Sequence, residues 1–377
     1  MKMPETLSFE TKKVPLAQSV LVVGGGLAGM TTAQALQRCG YAVTVVEHAA
    51  ASGPALIGLT GQIGAFSAQI KTREGAQTVS CGVVVIAAGT LVPAKISDSA
   101  HIFAIAEIDL ALADLVKRKG VRVIGLILDW ELDETKASTE MALALAKKIQ
   151  QMHRYQVSLF CREVRVAAKD MEARYDEVRE MGVNIVKYDG KLALQENAKG
   201  VAVTYFDSIL RQELTMYCDR AGVSPAGISM SADPKLAAMT GIATDAYGQF
   251  QENNIHLFPG NTNRPGIFVV GPCRGQYYLP QIITEAKATA LEVHALLSQK
   301  FLEVELSNAV VDPDKCVLCL TCVRSCPYKA MHVNREKGAA ESIPEACQKC
   351  GLCAGECPAK AIELPRYADK IILSQIR

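Results

Sequence analysis

The apolar residues of the first fifty positions form two short runs with a helical stretch between them. Residues 20–23 are uninterruptedly apolar and mostly β-branched, which is typical of a strand buried on both faces. The pattern predicts a helix over about residues 30–38 and a second strand over residues 42–46. Strand, helix and strand in this order predict a βαβ unit with parallel strands, and therefore an α/β fold.

A similar pattern recurs in the middle of the chain. The pattern predicts a strand over residues 121–128, a long helix over about residues 136–152 and another strand over residues 157–161. Two further apolar strands end in small-residue turns, within residues 83–90 and 266–271, and a helix follows from about Pro280. These segments indicate a second nucleotide-domain-like region inserted into the first.

The first strand runs into a glycine-rich loop whose spacing suits a dinucleotide. The loop reads Gly24-Gly25-Gly26-Leu27-Ala28-Gly29, with a strand before it, a helix after it and Glu47 about 20 positions on. Gly24 permits a tight turn, Gly26 lets the backbone approach a pyrophosphate, and Gly29 allows close helix–strand packing. The helix N-terminus would face the phosphates, and Glu47 would accept hydrogen bonds from ribose hydroxyls. A glycine-rich turn without a ligand is the alternative.

The motif itself does not separate NAD from FAD, but its position does favour FAD, since a flavoprotein usually holds FAD near its N-terminus. Flavoproteins with two dinucleotide domains carry an aspartate after the glycine of the last turn, where this chain has Pro272. The helix that follows would stabilise negative charge at the pyrimidine end of a flavin. The expected FAD-binding residues are Gly24, Gly26, Leu27, Ala28, Gly29, Glu47, Ala88, Gly89, Gly271, Pro272 and Gly275.

The inserted region lacks a glycine motif of its own. Its first strand runs into residues 129–134, which contain four acidic side chains where phosphates would bind. Negative charge there would repel a dinucleotide. We therefore expect a domain with the shape of a nucleotide domain that does not bind NAD(P)H; an unusual nucleotide loop is the alternative.

Eight of the thirteen cysteines lie close together near the C-terminus and predict iron–sulfur chemistry. They form two copies of C-x2-C-x2-C-x3-C-P, which is the spacing of a ferredoxin domain with two [4Fe–4S] clusters. In this motif the fourth cysteine ligates the other cluster. The expected ligands are Cys316, Cys319, Cys322 and Cys357 for cluster 1, and Cys347, Cys350, Cys353 and Cys326 for cluster 2. A pair of zinc ribbons is the alternative, although zinc sites need neither the third cysteine nor the C-P ending.

Composition narrows the possible partners and compartments. With 40 basic and 39 acidic residues the net charge is +1, so neither nucleic acid nor an anionic membrane is an expected partner. We expect no membrane-spanning segment, because no apolar run approaches about 20 residues. Residues 1–13 lack the apolar core of a signal peptide, and clustered cysteines point to a reducing compartment, so a cytoplasmic location is expected. The other five cysteines, Cys39, Cys81, Cys161, Cys218 and Cys273, are expected to pack in the core.

Taken together, the motifs resemble the A subunit of heterodisulfide reductase and its relatives in other anaerobic electron-transfer complexes. The resemblance runs from about Ser19 to Ile362. It rests on VLVVGGGLAGM, on residues 160–186, on the stretch NRPGIFVVGPCRGQYYLPQIITEAKATA and on the double-cluster ferredoxin motif. It implies a cytoplasmic FAD and iron–sulfur subunit that passes electrons among partner subunits, and in some members the flavin splits an electron pair.

The chain also departs from the family pattern. The segment of residues 48–59 is shorter than the family's usual segment at this place and carries no cysteine. The cysteine-rich stretch of the longer subunits is missing around residues 129–139. The ferredoxin unit lies at the C-terminus instead of within a longer chain. These features indicate a trimmed relative. Benzoyl-CoA reductase, quinone-interacting and sulfur-oxidising complexes have subunits of this general kind.

The expected fold class is α/β, a thioredoxin-reductase-like flavoprotein with two dinucleotide-binding domains, followed by an α+β ferredoxin domain. The expected boundaries are a tail at 1–16, a split FAD domain at 17–118 and 236–300, an insertion at 119–235, a ferredoxin domain at 306–366 and a tail at 367–377. Three functions compete: an electron-transfer subunit of a multi-subunit oxidoreductase, a self-contained NAD(P)H-dependent flavoenzyme, and a flavin-free iron–sulfur adaptor. No residue is expected to be catalytic in this chain, because substrate chemistry would take place in a partner.

Overall fold

A computed structural model describes residues 9–47, 53–88, 99, 101–105, 123–128, 136–224, 233–246, 248–254, 256–257, 259–275, 278–368 and 371–373. The chain divides into two compact units. The first contains residues 1–90, 230–276 and 280–377, and the second contains residues 91–229 and 277–279.

The elements are numbered here in chain order. The strands are β1 (Thr11–Pro15), β2 (Ser19–Val23), β3 (Ala42–Val46), β4 (Ala55–Gln62), β5 (Ala65–Thr72), β6 (Gly75–Cys81), β7 (Val83–Ile86), β8 (Ile102–Ala104), β9 (Val123–Ile127), β10 (Gln156–Cys161), β11 (Asn184–Lys187), β12 (Asp189–Asn197), β13 (Gly200–Asp207), β14 (Gln212–Cys218), β15 (Arg220–Val223), β16 (Ile267–Val269), β17 (Phe301–Glu305), β18 (Val310–Val311), β19 (Met331–Asn334), β20 (Ala339–Ser342) and β21 (Ile362–Glu363). The α-helices are α1 (Leu27–Arg38), α2 (Lys136–Gln150), α3 (Met171–Glu180), α4 (Pro234–Thr240), α5 (Leu279–Leu297), α6 (Thr321–Ser325) and α7 (Leu352–Glu356).

A four-stranded parallel sheet in the order β16-β7-β2-β3 lies at the centre of the first unit. Its two inner strands are buried on both faces, as their continuous apolar runs predict. Helices α1 and α5 cover one face through residues such as Leu36 and Val293. The antiparallel sheet β4-β5-β6 and helix α4 cover the other face. The carboxyl ends of β2, β7 and β16 therefore open at one edge of the sheet, where ligands of open α/β sheets bind.

Residues 11–15 differ from the tail that the sequence predicts. They form β1, which pairs antiparallel with β17 from Thr11 opposite Glu305 to Pro15 opposite Phe301. The backbone hydrogen-bond partners of β1 lie in β17, which is far away in the chain. The sequence around residues 11–15 therefore gives no sign of this pairing. This two-stranded ribbon lies where the nucleotide-binding part ends and the ferredoxin domain begins.

The ferredoxin domain contains two short helices and two antiparallel ribbons. Helices α6 and α7 each contain the third cysteine of one motif, Cys322 or Cys353, and the ribbons pair β18 with β21 and β19 with β20. Its small core includes Ala330, Ala346 and Ala361 beside the cysteines.

The second unit has a five-stranded parallel sheet in the order β11-β10-β9-β15-β8. Helices α2 and α3 share one apolar core with this sheet, and the antiparallel sheet β12-β13-β14 shares another. The expected start of the inserted region, residue 119, is too late. Strand β8 pairs with β15, so residues 102–104 already belong to the second sheet rather than to the first domain.

Two parallel α/β sheets, each with a three-stranded antiparallel sheet, followed by an α+β ferredoxin domain, confirm the expected fold class. Within the described ranges, no helix combines the length and apolar character needed to cross a membrane.

Candidate cofactor sites

The glycine loop joins β2 to α1 at the open edge of the first sheet. Gly24 has φ +112°, which favours glycine, and its N–H donates to the Val46 carbonyl oxygen at 2.7 Å. A Cβ atom at Gly24 would lie 2.6 Å from the carbonyl oxygen of Ala87. At Gly29 a Cβ atom would overlap the carbonyl oxygen of Gly24, so the helix packs directly against the loop. Both glycines are needed for the shape of the loop itself.

Gly26 differs from these two glycines because a Cβ atom added there would point into open space. It is the N-cap of α1 with φ −71°, and a Cβ atom there would meet no atom within 4 Å. Open space beside the first helical turn is what a pyrophosphate needs for its close approach to backbone N–H groups. Leu27 is exposed beside it, whereas Ala28 is buried.

Glu47 lies at the carboxyl end of β3, directly beside the loop. One oxygen of its exposed carboxylate accepts a hydrogen bond from the N–H of Gly25 at 2.9 Å. This bond fixes the carboxylate at the rim of the loop, where its remaining lone pairs are available to ribose hydroxyls.

The second predicted turn meets the first. Gly271 has φ +77°, and a Cβ atom at this position would lie 2.7 Å from the Cβ atom of Ala28. Pro272 follows in a 3-10 turn, Gly271–Arg274, which ends at Gly275 with φ +85°. Ala88 is buried at the end of β7, and Gly89 lies outside the described residues. The structure thus brings the turn after β16 against the first turn of α1.

A buried ion cluster behind this turn escaped the sequence reasoning. Arg274 pairs with Glu252 and, at 3.0 Å, with Glu285 on α5. Glu252 also accepts a hydrogen bond from the Gly260 N–H at 2.8 Å. Burial raises the pKa of the nearby Glu292, although a hydrogen bond from Asn261 partly opposes this. No local motif signals the cluster, because its members come from three separate segments.

The first three-cysteine loop and the last cysteine of the second motif line one small cavity. The thiols around it belong to Cys316, Cys319, Cys322 and Cys357. Apolar side chains, including Ala340, Ala361 and Ile362, line the rest. This grouping corresponds to the ligand set expected for cluster 1.

A second small cavity has the reciprocal composition. Its thiols belong to Cys326, Cys347, Cys350 and Cys353, and its apolar lining includes Met331 and Leu364. In each motif the fourth cysteine therefore lies with the other motif's first three. Four soft thiol donors in an apolar lining suit a [4Fe–4S] cluster.

The electrostatics of the thiols follow the same two groups. Desolvation raises the pKa of Cys322, and the charges of Cys316, Cys319 and Cys357 raise it further. Desolvation and the neighbouring Cys347 and Cys326 raise the pKa of Cys353 to about 11. Bound iron would offset this mutual repulsion, because its positive charge favours thiolates. Over the described ranges no three His, Cys, Asp or Glu side chains suit a single metal ion. In a [4Fe–4S] cluster, by contrast, each of the four thiolates binds a different iron, so the thiols need not converge on one point.

The two motifs repeat in backbone conformation as well as in sequence. Left-handed residues recur 31 positions apart: Leu318 (φ 52°) and Lys349 (φ 57°), Leu320 (φ 63°) and Gly351 (φ 82°), Lys329 (φ 51°) and Lys360 (φ 50°). The N–H groups of Ala330 and Ala361 donate to the sulfur atoms of Cys326 and Cys357, both at 3.3 Å. Such bonds tune the reduction potential of a cluster.

One asparagine joins the ferredoxin domain to the nucleotide-binding part. The Asn263 amide donates to the carbonyl oxygens of Pro327 at 2.5 Å and Gly241 at 3.0 Å. Its own oxygen accepts the N–H of Ala243 at 3.0 Å. Pro327 directly follows Cys326, so this contact reaches the backbone beside a predicted ligand of cluster 2.

Four of the five remaining cysteines are buried as expected, but Cys39 is exposed at the end of α1. The expectation of core packing is therefore wrong for Cys39, whose side chain follows the last helical turn. Cys273 is fully buried, and burial raises the pKa of its thiol to about 12. The acidic stretch at 129–134 lies outside the described residues.

Two protein families match parts of the chain. Residues 308–361 match a family described as a 4Fe-4S dicluster domain, and residues 22–56 match one described as an NAD(P)-binding Rossmann-like domain. The chain therefore carries a dicluster domain and a dinucleotide-binding domain.

About half of the chain is distantly homologous to the A subunits of heterodisulfide reductases. It is 32% identical over 172 residues to the iron-sulfur A subunit of the CoB--CoM heterodisulfide reductase of Methanocaldococcus jannaschii, covering 45% of this chain and 26% of that protein. It is 29% identical over 198 residues to a protein of Archaeoglobus profundus that is named as similar to the heterodisulfide reductase A subunit, covering 52% and 28%. The matched region thus spans about a quarter of each relative.

Among solved structures, thioredoxin reductase of T. acidophilum superposes with a TM-score of 0.49 at 15% identity. The superposition covers 74% of this chain and 97% of that one.

Proposed function

We propose that this chain is an electron-transfer subunit of a heterodisulfide-reductase-like oxidoreductase, with FAD at the glycine loop and two [4Fe–4S] clusters at the eight cysteines. The observation that carries the proposal is that one compact unit contains both the dinucleotide loop and both four-cysteine cavities. When bound, FAD couples two-electron to one-electron chemistry, and each cubane carries single electrons.

This chain's residues divide the work of holding FAD. The first-turn N–H groups of α1 and the open side of Gly26 would hold the pyrophosphate, and Glu47 would hold the ribose. The turn at Gly271 and Pro272, fixed against Ala28, would bound the flavin side of the site. Arg274, Glu252 and Glu285 would hold that turn in place from behind.

The cysteines would complete the relay. Each cluster would be held by three cysteines of one motif and the fourth cysteine of the other motif. Each cluster would therefore need both motifs to be folded. Asn263 holds the backbone next to Cys326 against the nucleotide-binding part, which favours cluster 2 as the cluster that exchanges electrons with the flavin.

The donor and the acceptor are proposed to lie in partner subunits. Homologues of this chain are named as reductase subunits, including the A subunit of a H(2)/formate:CoB-CoM heterodisulfide,ferredoxin reductase of Methanococcus maripaludis. Electron bifurcation at the flavin is part of the proposal, as is a reducing, cytoplasmic setting in which all thirteen cysteines stay free of disulfides.

Cofactor analysis tests the proposal. Protein purified without oxygen should release about one FAD and contain about eight irons per chain, as the cysteine count requires. Clusters without flavin would instead identify an iron–sulfur adaptor. If the protein bound neither FAD nor iron after anaerobic reconstitution, the proposal would be overturned.

A second candidate is a self-contained NAD(P)H-dependent flavoenzyme, which the description of the family matched at residues 22–56 favours. Adding NADH or NADPH to the isolated chain without oxygen separates the two candidates. We expect no rapid bleaching of the flavin absorbance. Bleaching within the mixing time would support the flavoenzyme.

A further inference from the structure

A cavity of about 550 Å³ lies between the nucleotide-binding part and the ferredoxin domain, within the first compact unit. One wall includes the end of α4 and residues 251–253, and the opposite wall is the segment 324–329 of the ferredoxin domain. The volume is in the range of sites that bind small molecules. None of the described residues expected to bind FAD lines this cavity, so it is a separate feature from the glycine loop.

Basic side chains approach the cavity from both walls. Arg324 and Lys329 line it on the ferredoxin side. On the other side, the Arg264 guanidinium lies beside Gly241, which also lines the cavity. A Cβ atom at Gly241 would lie 3.2 Å from Nη1 of Arg264 and 3.4 Å from Cγ of Lys329. Cations from the two walls therefore meet at one edge of the cavity.

Among the residues that the structure describes, no carboxylate pairs with any of these three cations. Arg264 donates to the carbonyl oxygens of Thr240 at 3.3 Å and Gly61 at 3.1 Å, and Arg324 donates to that of Cys319 at 3.1 Å. The buried Nε–H of Arg264 has no acceptor in this part of the chain. Burial lowers the pKa of Arg264, as expected for a cation that loses water without gaining an anion.

The negative charge within the cavity is already matched by another residue. Of the described residues that line the cavity, only Glu252 is acidic. Its side chain is 6% exposed, pairs with Arg274 and accepts a hydrogen bond from the Gly260 N–H at 2.8 Å. The three cations therefore remain unbalanced, in a chain whose net charge is only +1. A bound anion would supply the missing negative charge.

The 31-residue repeat separates these cations from the needs of the clusters. Arg324 corresponds to Gly355, so the cysteine motif does not require a basic residue at this place. Lys329 and Lys360 are equivalent and share a left-handed backbone, with φ 51° and 50°. Both are exposed, but only Lys329 lines the cavity. Lys360 therefore provides a matched control for Lys329.

We propose that this cavity binds a small molecule with two or more negative charges, a phosphate ester or a polycarboxylate, through Arg264, Arg324 and Lys329. Guanidinium and ammonium groups bind both kinds of anion through charge-assisted hydrogen bonds. Most of the donors on these side chains are not used by other described residues, because Arg324 makes one hydrogen bond and Lys329 makes none. Anion binding in this cavity does not depend on the presence of flavin.

The position of the cavity gives the anion a regulatory effect, which rests on the proposed function. Cys326 and Pro327 line both this cavity and the cavity of cluster 2. A bound anion would therefore lie next to the wall of cluster 2. Its negative charge would oppose the arrival of an electron, so cluster 2 should become harder to reduce when the anion is bound.

Isothermal titration calorimetry on the anaerobic holoprotein tests the binding, with pyrophosphate and citrate as separate probes. At least one probe should bind with a dissociation constant below about 1 mM. Lys329→Gln should weaken this binding about tenfold, and Lys360→Gln should leave it unchanged, because each variant loses one exposed charge on the same backbone. Binding of pyrophosphate alone would indicate a phosphate ester, and binding of citrate alone a polycarboxylate. Binding of neither probe, or equal weakening in both variants, would overturn the inference.

A redox titration followed by low-temperature EPR gives the second readout. Saturation with the bound probe should shift the potential of cluster 2 to lower values in the wild type and in Lys360→Gln. The shift should disappear in Lys329→Gln at the same probe concentration. A shift of equal size in both variants would contradict the placement of the anion. Missing flavin or iron would contradict the proposed function alone, because calorimetry on the same protein still measures anion binding.

Discussion

At the scale of single residues, one amino-acid type fills three physical roles in the nucleotide loop. Gly24 supplies a left-handed backbone, Gly29 removes a side chain that would overlap the loop, and Gly26 leaves space open. The first two roles concern the folding of the loop and the third concerns a ligand. The three glycines should therefore respond differently to the same substitution.

We predict that Gly26→Ala weakens FAD binding at least tenfold without lowering stability, since the added Cβ atom meets no protein atom within 4 Å. Gly29→Ala should instead cost about 1–3 kcal/mol, because the Cβ atom has no room. Denaturant unfolding of the flavin-free proteins and FAD titration would measure the two effects. Equal loss of stability in both variants would contradict this distinction.

The scattered cysteines give a second prediction at this scale. Burial raises the pKa of Cys81 to about 11 and that of Cys218 to about 12, so these thiols stay protonated and inaccessible in the folded protein. Iodoacetamide should therefore label Cys39 alone among the five, from pH 7 to pH 9, with peptide mass spectrometry as the readout. The reactive thiolate forms in quantity only near or above the raised pKa. Raising the pH from 7 to 9 should therefore not make Cys81 react with iodoacetamide. Labelling of Cys81 at pH 9 would contradict its placement.

At the scale of elements, the ferredoxin domain consists of two copies of one loop–helix unit that exchange their last ligands. Helices α6 and α7 carry Cys322 and Cys353 into different cavities, and the residue after each helix points to the other motif's cavity. The exchange makes the two units interdependent.

Paired cysteine substitutions test this crossing. Cys326→Ser with Cys347→Ser removes two ligands of the same predicted cluster and should leave about four irons. Cys326→Ser with Cys316→Ser removes one ligand from each and should leave none, or unstable clusters only. Iron analysis and EPR would decide, and the opposite pattern would show that each motif ligates its own cluster.

At the scale of the whole molecule, contacts between distant segments hold the ferredoxin domain beside the nucleotide-binding part of the first unit. Strand β1 pairs with β17, and Arg366 binds Glu305 through both carboxylate oxygens at 2.7 and 2.9 Å. Hydrogen bonds from Arg366 and Ser307 lower the pKa of Glu305 to about 2. The Glu305 carboxylate therefore stays ionised at neutral pH and keeps its ion pair with Arg366. Asn263 adds the contact nearest a predicted cluster ligand.

We predict that Asn263→Ala slows electron transfer between flavin and clusters at least fivefold while FAD and iron contents stay unchanged. The loss leaves the carbonyl oxygens of Pro327 and Gly241 without this donor, which costs about 1 kcal/mol each. Flash reduction of the flavin followed by absorbance would measure the rate. The control is Asn308→Ala, whose amide bonds to Ser342 and Ala309 lie within the ferredoxin domain. Equal slowing in both would show a general effect of destabilisation.

Features that depend on local chemistry could be predicted from the amino-acid sequence. Continuous apolar runs placed β2 and β7, the glycine spacing placed the loop before α1, and the cysteine spacing grouped the eight thiols, because short-range sterics and ligand geometry fix these patterns. Features that depend on distant residues emerged only in the folded chain. Folding paired β1 with β17, assigned β8 to the second sheet and assembled the Arg274 cluster. Hydrogen bonds and ion pairs between residues far apart in the chain leave no periodic trace in it, so folding alone brings them together.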